Sequence, residues 1–186
     1  MKKIISLILC IIFVFSFVAC KEEKESNETV KRYHIEIDRY VEAGRLDNFD
    51  LKVGDPIDVA MQKLQATLDD HGDSNYSEYE IGDYTIMTDG VITCFYKTED
   101  AASGITHIVA VEEAFGFKNL ESIKTVRDAL KSLGYTASER EPILGELFFM
   151  PVSEREGATI LSYNIGENHL TFVFKENELS HIMIYN

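Results

Sequence analysis

The pattern of apolar and polar positions divides the chain into a leader and a longer, periodic remainder. Lys2 and Lys3 precede residues 4–19, a run without charge dominated by Ile, Leu, Val and Phe, and Lys21, Glu22 and Glu23 close it. Crossing a bilayer as a helix takes about 20 apolar residues, and this run is shorter. Two lysines, an apolar stretch and a small residue at its end are the parts of a signal peptide. The end reads Phe17-Val18-Ala19-Cys20. A small residue before cysteine at that point is what a lipoprotein signal peptidase needs, so the pattern predicts cleavage after residue 19. Cys20 is then the lipidation site, its thiol carrying diacylglycerol with palmitate-type chains; the alternative is an uncleaved anchor or an ordinary signal peptide with an incidental Cys20. Phe17 departs from the leucine usual three residues before the cysteine. Residues 20–29, rich in Lys, Glu, Ser and Asn, predict a polar tether.

Residues 30–48 carry two overlapping patterns. Tyr33, Ile37, Tyr40 and Val41 fit one helix face, while Tyr33, Ile35 and Ile37 alternate as in a strand; the helix is preferred. Asp55-Pro56 offers an N-cap and a first-turn proline, and Ile57, Met61, Leu64 and Leu68 recur at helical spacing. Strand-like runs follow at 79–87, 91–96 and 105–111, with Asp89-Gly90 as a two-residue turn between the first two. The same order then returns. Ser122 caps a helix with Ile123, Val126, Leu130 and Leu133 on one face and Gly134 just past its end. Runs at 144–150, 159–163, 169–175 and 179–185 follow, with turns at 164–168 and 176–177.

The two halves also match by residue. Ile92-Thr-Cys-Phe-Tyr-Lys97 aligns with Leu170-Thr-Phe-Val-Phe-Lys175, and Ile105-Thr-His-Ile108 with Leu179-Ser-His-Ile182, the first copy having extra turn length at 99–104. These matches predict an α+β fold made by tandem duplication of a helix followed by an antiparallel three- to four-stranded meander. The first repeat spans 49–114 and the second 115–186. Leu170, Phe172 and Phe174 alternate with Thr171 and Lys175, which predicts one buried sheet face.

Charge and chemistry narrow the function classes without selecting an activity. The net charge is −14, and losing Lys2 and Lys3 makes the mature chain more acidic, so nucleic acid is excluded as a partner. Cys94, the only cysteine after Cys20, lies in an apolar run and reads as a small buried hydrophobe. His107 and His181 occupy matching places and could together offer imidazoles to a metal. Two ligands are not a site, and each reads as a structural histidine within its repeat. Asp69-Asp-His-Gly-Asp73 reads as a solvated turn, because the spacing of a calcium loop is absent. The nucleophile elbow, S-x-x-K and H-E-x-x-H are missing. The acid pairs Glu112-Glu113 and Glu139/Glu141 are not placed across a cleft by their spacing. No cofactor, no metal and no catalytic residue is expected. Phe148-Phe-Met-Pro151 is the best contact patch in the sequence, with burial in the core the stronger reading.

The segments Leu170-Thr-Phe-Val-Phe174, Leu179-Ser-His-Ile182 and Leu51-Lys-Val-Gly54, the last running on as Gly54-Asp-Pro-Ile-Asp-Val59, resemble the YjgB-like domain family of Gram-positive secreted proteins and lipoproteins. Leu133-Gly134 matches the Leu-Gly that ends a helix in that family; the first repeat departs, with Leu64-Gln65 and Leu68-Asp69 instead. The resemblance covers about 49–185. The repeat unit is also similar to that of the β-lactamase-inhibitor-protein-like fold. These resemblances imply a tandem helix-plus-sheet domain that binds proteins, with no enzyme activity and no site residues to carry over. The expectation is therefore a lipid-anchored binding module on the outer face of the cytoplasmic membrane, with an envelope protein as its partner. The alternatives are a small cell-envelope hydrolase or accessory factor, and a solute-binding component.

Overall fold

Segments with helical spacing form helices, and those with alternating or continuous apolar residues form strands of one large sheet. The computed structural model describes residues 36–68, 72–140 and 155–186. Among them the helices are α1 (Ile37–Glu42), α2 (Ile57–Ala66) and α3 (Ile123–Ser132). The strands are β1 (Ser77–Ile81), β2 (Tyr84–Thr88), β3 (Ile92–Lys97), β4 (His107–Ala110), β5 (Glu113–Ala114), β6 (Phe117–Lys118), β7 (Ser138–Arg140), β8 (Thr159–Ile165), β9 (Asn168–Lys175) and β10 (Glu178–Tyr185). Eight strands form an antiparallel sheet in the order β1-β2-β3-β4-β10-β9-β8-β7, and β5 and β6 form a separate hairpin. This is the expected α+β class. Each of the longer helices feeds a four-stranded antiparallel run, and the two runs meet where β4 pairs with β10.

Local chemistry explains the boundaries. Ser122 caps α3 by accepting from the Thr125 amide at 3.1 Å. Gly134 ends it at φ 93°, with Gly134 N donating to Lys131 O and Tyr135 N to Leu130 O, both at 3.0 Å. That paired bonding is the left-handed glycine cap expected there. Asp55 does not cap α2. Pro56 stands at the N-cap without a side-chain bond, and the Asp55 carboxylate accepts from the Lys52 amide instead. The run at 79–87 is two strands, because Gly82 at φ 58° turns the chain between Ile81 and Tyr84. The β2–β3 turn lies one residue later than expected, at Gly90-Val91. Asp89 N donates to Ile92 O, and the buried Asp89 carboxylate accepts from the Val91 and Ile92 amides at 3.0 and 2.7 Å. Of the helix or linker expected over 30–48, the described residues show a helix at Ile37–Glu42, and residues 30–35 lie outside the described residues. The strand expected at 144–150, residues 69–71 and the leader lie outside the described residues.

One sheet face carries Cys94, Ile108, Leu161, Phe172, Phe174 and Ile182, all buried. Phe172 meets Phe117 edge-on at 5.0 Å and Tyr163 at 6.1 Å. The opposite face was expected to be polar, and its centre is buried too. Ile86, Phe95, Val109 and Met183 form an apolar cluster there, and Thr171 is fully enclosed. Both faces of the central strands therefore contribute to the core, which the alternation along one strand did not reveal.

A backbone clamp joins the entry of α2 to the start of β4. Gly54 N donates to Ile105 O at 2.7 Å and Ile105 N to Asp55 O at 2.9 Å. Gly104 lies beneath this clamp at φ 72°, ψ −159°, a region essentially restricted to glycine. A Cβ there would sit 2.5 Å from Asp55 O. Gly104→Ala is expected to cost about 1–3 kcal/mol from the backbone conformation alone, read as a shift in the urea midpoint. An unchanged midpoint would contradict this placement.

Candidate functional site

The β7 end of the sheet places polar side chains beside two recesses. β7 pairs with β8 on one side, Ser138, Glu139 and Arg140 facing Ser162, Leu161 and Ile160. Among the described residues it is the last strand in the sheet order. Because side chains alternate along a strand, Ser138 and Arg140 project to one face and Glu139 to the other. A recess lies on each side. The larger, about 530 Å³, is lined by Thr136, Ser138, Arg140, Ser162, Tyr163, Asn164, His169 and Tyr185. The smaller, about 270 Å³, lies between α3 and β8 and is lined by Arg127, Lys131, Tyr135, Thr136, Ala137, Glu139, Leu161 and Tyr163. Thr136 and Tyr163 border both.

A row of paired residues crosses the sheet from the larger recess. Asn164 faces His169, His169 faces Tyr185, Tyr185 faces His107, and His107 faces Phe95. The Tyr185 ring is stacked between the imidazoles of His169, at 4.9 Å and 23°, and His107, at 5.1 Å and 19°. The Tyr84 and Phe95 rings meet His107 edge-on, each at 5.7 Å. His169 Nδ1 lies 2.7 Å from Asn164 Oδ1, so an amide rather than a carboxylate orients this imidazole. The order follows from register, since opposite residues of an antiparallel pair hold their side chains in contact.

Among the described residues, the charged side chains lining the two recesses are Arg127, Lys131, Arg140 and Glu139. Arg127 and Glu139 form an ion pair. Burial raises the Tyr163 hydroxyl to about 12, with Arg127 opposing the shift. Tyr135 is raised to about 12 by burial and by its hydrogen bond with Asp38. Both phenols are therefore protonated and able to donate at neutral pH.

The histidines singled out by sequence do occupy β4 and β10, at separate places. His107 lies opposite Tyr185, so His181 is displaced from it by four residues along the pair, about 14 Å at about 3.4 Å per residue. Among the described residues, no group of three or more His, Cys, Asp or Glu side chains could hold a metal ion. His181 is enclosed, with Nδ1 3.0 Å from Ser180 Oγ, and burial lowers its pKa to about 3. The unfolded imidazole titrates near 6.5, so the unfolded chain takes up a proton that the folded chain refuses. His181 thus leaves stability intact above about pH 6.5 and erodes it as pH falls toward 3. Between pH 6.5 and 5 the expected loss is about 2 kcal/mol. Urea titrations of the native chain and His181→Gln at both pH values check this. Equal pH slopes for the two proteins would contradict it.

Cys94 is fully buried on β3, and desolvation, together with the Asp89 and Asp55 charges, pushes its thiol up. Glu113 pairs with Lys118 at 3.4 Å, and Glu139 with Arg127, so these acids are spread over separate elements. Cys20, residues 69–71, Glu141 and the Phe148-Phe-Met-Pro151 patch lie outside the described residues. Sequence reasoning missed Arg127, Lys131, Arg140, His169 and Tyr185. The available signal was three cations within residues 127–140 of an acidic chain, together with an aromatic residue at the end of the last strand. No family model, curated protein or solved structure matches this chain.

Proposed function

We propose that the chain is a tandem duplication held at the outer face of the cytoplasmic membrane by lipid on Cys20, and that it works there as an interaction module. Register supports the duplication. Ile92, Thr93, Cys94 and Phe95 face Ala110, Val109, Ile108 and His107, as Leu170, Thr171, Phe172 and Val173 face Ile184, Met183, Ile182 and His181. Ser77-Glu78-Tyr79 pairs with β2 in the register that Ser138-Glu139-Arg140 uses with β8. At the join Val109 faces Met183, with Ala110 opposite Ile182 and Ile108 opposite Ile184, a pattern unchanged by a two-fold rotation.

The clamp recurs as well. Leu120 N donates to Leu179 O at 2.8 Å and Leu179 N to Glu121 O at 2.7 Å, in the roles of Gly54, Ile105 and Asp55. Leu120 even keeps the positive φ of Gly54, 69° against 88°. A unit of about 70 residues is marginal alone, and joining two through β4 and β10 enlarges the core. If the positions are equivalent, Leu120→Gly relieves a strained backbone at an exposed residue. The expected net gain is about 0.5 kcal/mol, after the entropic cost of glycine is subtracted. A lowered melting point would count against the equivalence.

The module reading rests on one observation, the pair of recesses flanking β7, whose described lining residues offer hydrogen bonding, cations and aromatic rims. The larger recess contains His169 and Ser162, but the imidazole is oriented by Asn164, and no carboxylate is among the described lining residues. This favours recognition over the hydrolase alternative, and it agrees with the resemblance to the YjgB-like family. The test is photo-cross-linking in the native envelope from probes at Ser138 and at Gln62 on α2. An envelope protein trapped from Ser138 and not from Gln62 is expected. Trapping from neither, or hydrolysis of envelope material by the purified chain, would contradict the reading.

A further inference from the structure

We infer that the end of the folded unit bearing the β8–β9 turn is its membrane-proximal end, and that the partner met there is a protein held in the same membrane. The inference deepens the interaction-module reading and rests on it, including the lipid on Cys20. The chain enters the described fold at α1, and α1 is fastened to the second repeat. Its Ile37 and Val41 side chains are fully buried, and it adjoins β8 and β9. The side-chain amide of Asn168, the first residue after the β8–β9 turn, donates to Val41 O at 2.9 Å and to Glu42 O at 3.3 Å. These are carbonyls that a helix leaves without partners at its C-terminus. The Tyr135 hydroxyl donates to the Asp38 carboxylate. The entry therefore lies beside the candidate site, because Tyr135 lines the smaller recess and His169, next to Asn168, lines the larger.

Chain length limits how far this end can stand from the lipid. Fifteen residues separate Cys20 from Glu36. Their reach is about 50 Å at full extension and about 20 Å as a flexible coil. Residues 21–29 contain no apolar side chain, a composition that favours solvent over burial. The Lys175 end of β9 lies about 24 Å beyond its Asn168 end, at about 3.4 Å per residue. A body tethered beside Asn168 therefore holds the β8–β9 turn nearer the surface, on average, than the β9–β10 turn. Charge works in the same direction. A chain of net charge −14 is repelled by anionic headgroups and is not drawn flat onto the bilayer. A partner that engages residues at the β8–β9 end must present its segment within the reach of the tether. A protein spanning or anchored in the same membrane does so continuously.

The test uses the full lipidated chain in phosphatidylcholine vesicles that carry a rhodamine-headgroup lipid as energy acceptor. A donor fluorophore is placed through Glu167→Cys in the β8–β9 turn or through Glu178→Cys just after the β9–β10 turn, both exposed positions. Cys94 is buried, so the introduced thiol is the one labelled. Energy transfer from position 167 should be at least twofold more efficient than from position 178. Lengthening the tether with a Gly/Ser insert after Thr29 should lower both and narrow their ratio. In the native envelope, a photo-cross-linking probe at Glu167 should trap a protein with a membrane-spanning segment or a lipid anchor, and a probe at Glu178 should not. Equal transfer from the two positions, or stronger transfer from position 178, would overturn the inference. So would a trapped protein without membrane attachment. Equal transfer with a partner still trapped from Ser138 would leave the module reading standing and remove only the orientation. A chain that does not bind the vesicles at all would instead remove the anchor on Cys20, and this inference with it.

Discussion

Truncating Phe172 to alanine is expected to lower the stability of the folded unit by about 3–5 kcal/mol. The side chain is fully enclosed on β9 and meets Phe117 and Tyr163 edge-on, at 5.0 and 6.1 Å. Such aromatic pairs add about 0.5–1.5 kcal/mol each to the loss of buried area. Its strand neighbours are Leu161 on β8 and Ile182 on β10, both buried, so the cavity would open at the middle of the second meander where backbone pairing resists collapse. For a unit of this size about 2–4 °C of melting temperature accompanies each kcal/mol. A fall of roughly 6–20 °C is therefore expected by circular dichroism. Leu130→Ala, on the buried face of α3, should behave similarly at about 2–5 kcal/mol. A shift of less than about 3 °C for Phe172→Ala would mean that this face is not the core.

Replacing Cys20 with alanine is expected to abolish lipid attachment and release the protein from the membrane. The proposed thioether needs the thiol. Among the described residues no helix is long and apolar enough to cross a membrane. A chain of net charge −14 is repelled by anionic headgroups rather than drawn to them. Retention then depends on the acyl chains, each buried CH₂ contributing about 0.8 kcal/mol. Metabolic labelling with a radioactive fatty acid and fractionation of cells read the result directly. Label that persists in Cys20→Ala would overturn the lipidation site.

Much of the fold was legible because local chemistry and tertiary structure agree. Ser122, the α3 stripe and Gly134 define a helix in sequence, and the same residues cap and bury it in the structure. The strand segments that suggested two copies fall on β3, β4, β9 and β10. Other features depended on contacts distant in sequence. Gly82 splits a run that reads as one strand, because a two-residue turn leaves the apolar alternation almost unbroken. Asp55 looks like a helix cap, but its carboxylate turns back to the Lys52 amide. The candidate site was hardest to see. Arg127 and Lys131 share a recess with Glu139 only because α3 lies beside β7, and His169, Tyr185 and His107 line up only through the register of three strands.

The central claim is the proposed duplication, in which two equivalent halves meet across β4 and β10. Cross-strand nuclear Overhauser contacts in the isotope-labelled chain test it most directly. The account predicts contacts placing Val109 opposite Met183, with Ala110 opposite Ile182 and Ile108 opposite Ile184 on either side. A register displaced by a single residue would turn every side chain of one strand to the other face and remove the two-fold pattern. Contacts showing such a displacement, or β4 paired with any strand other than β3 and β10, would contradict the account.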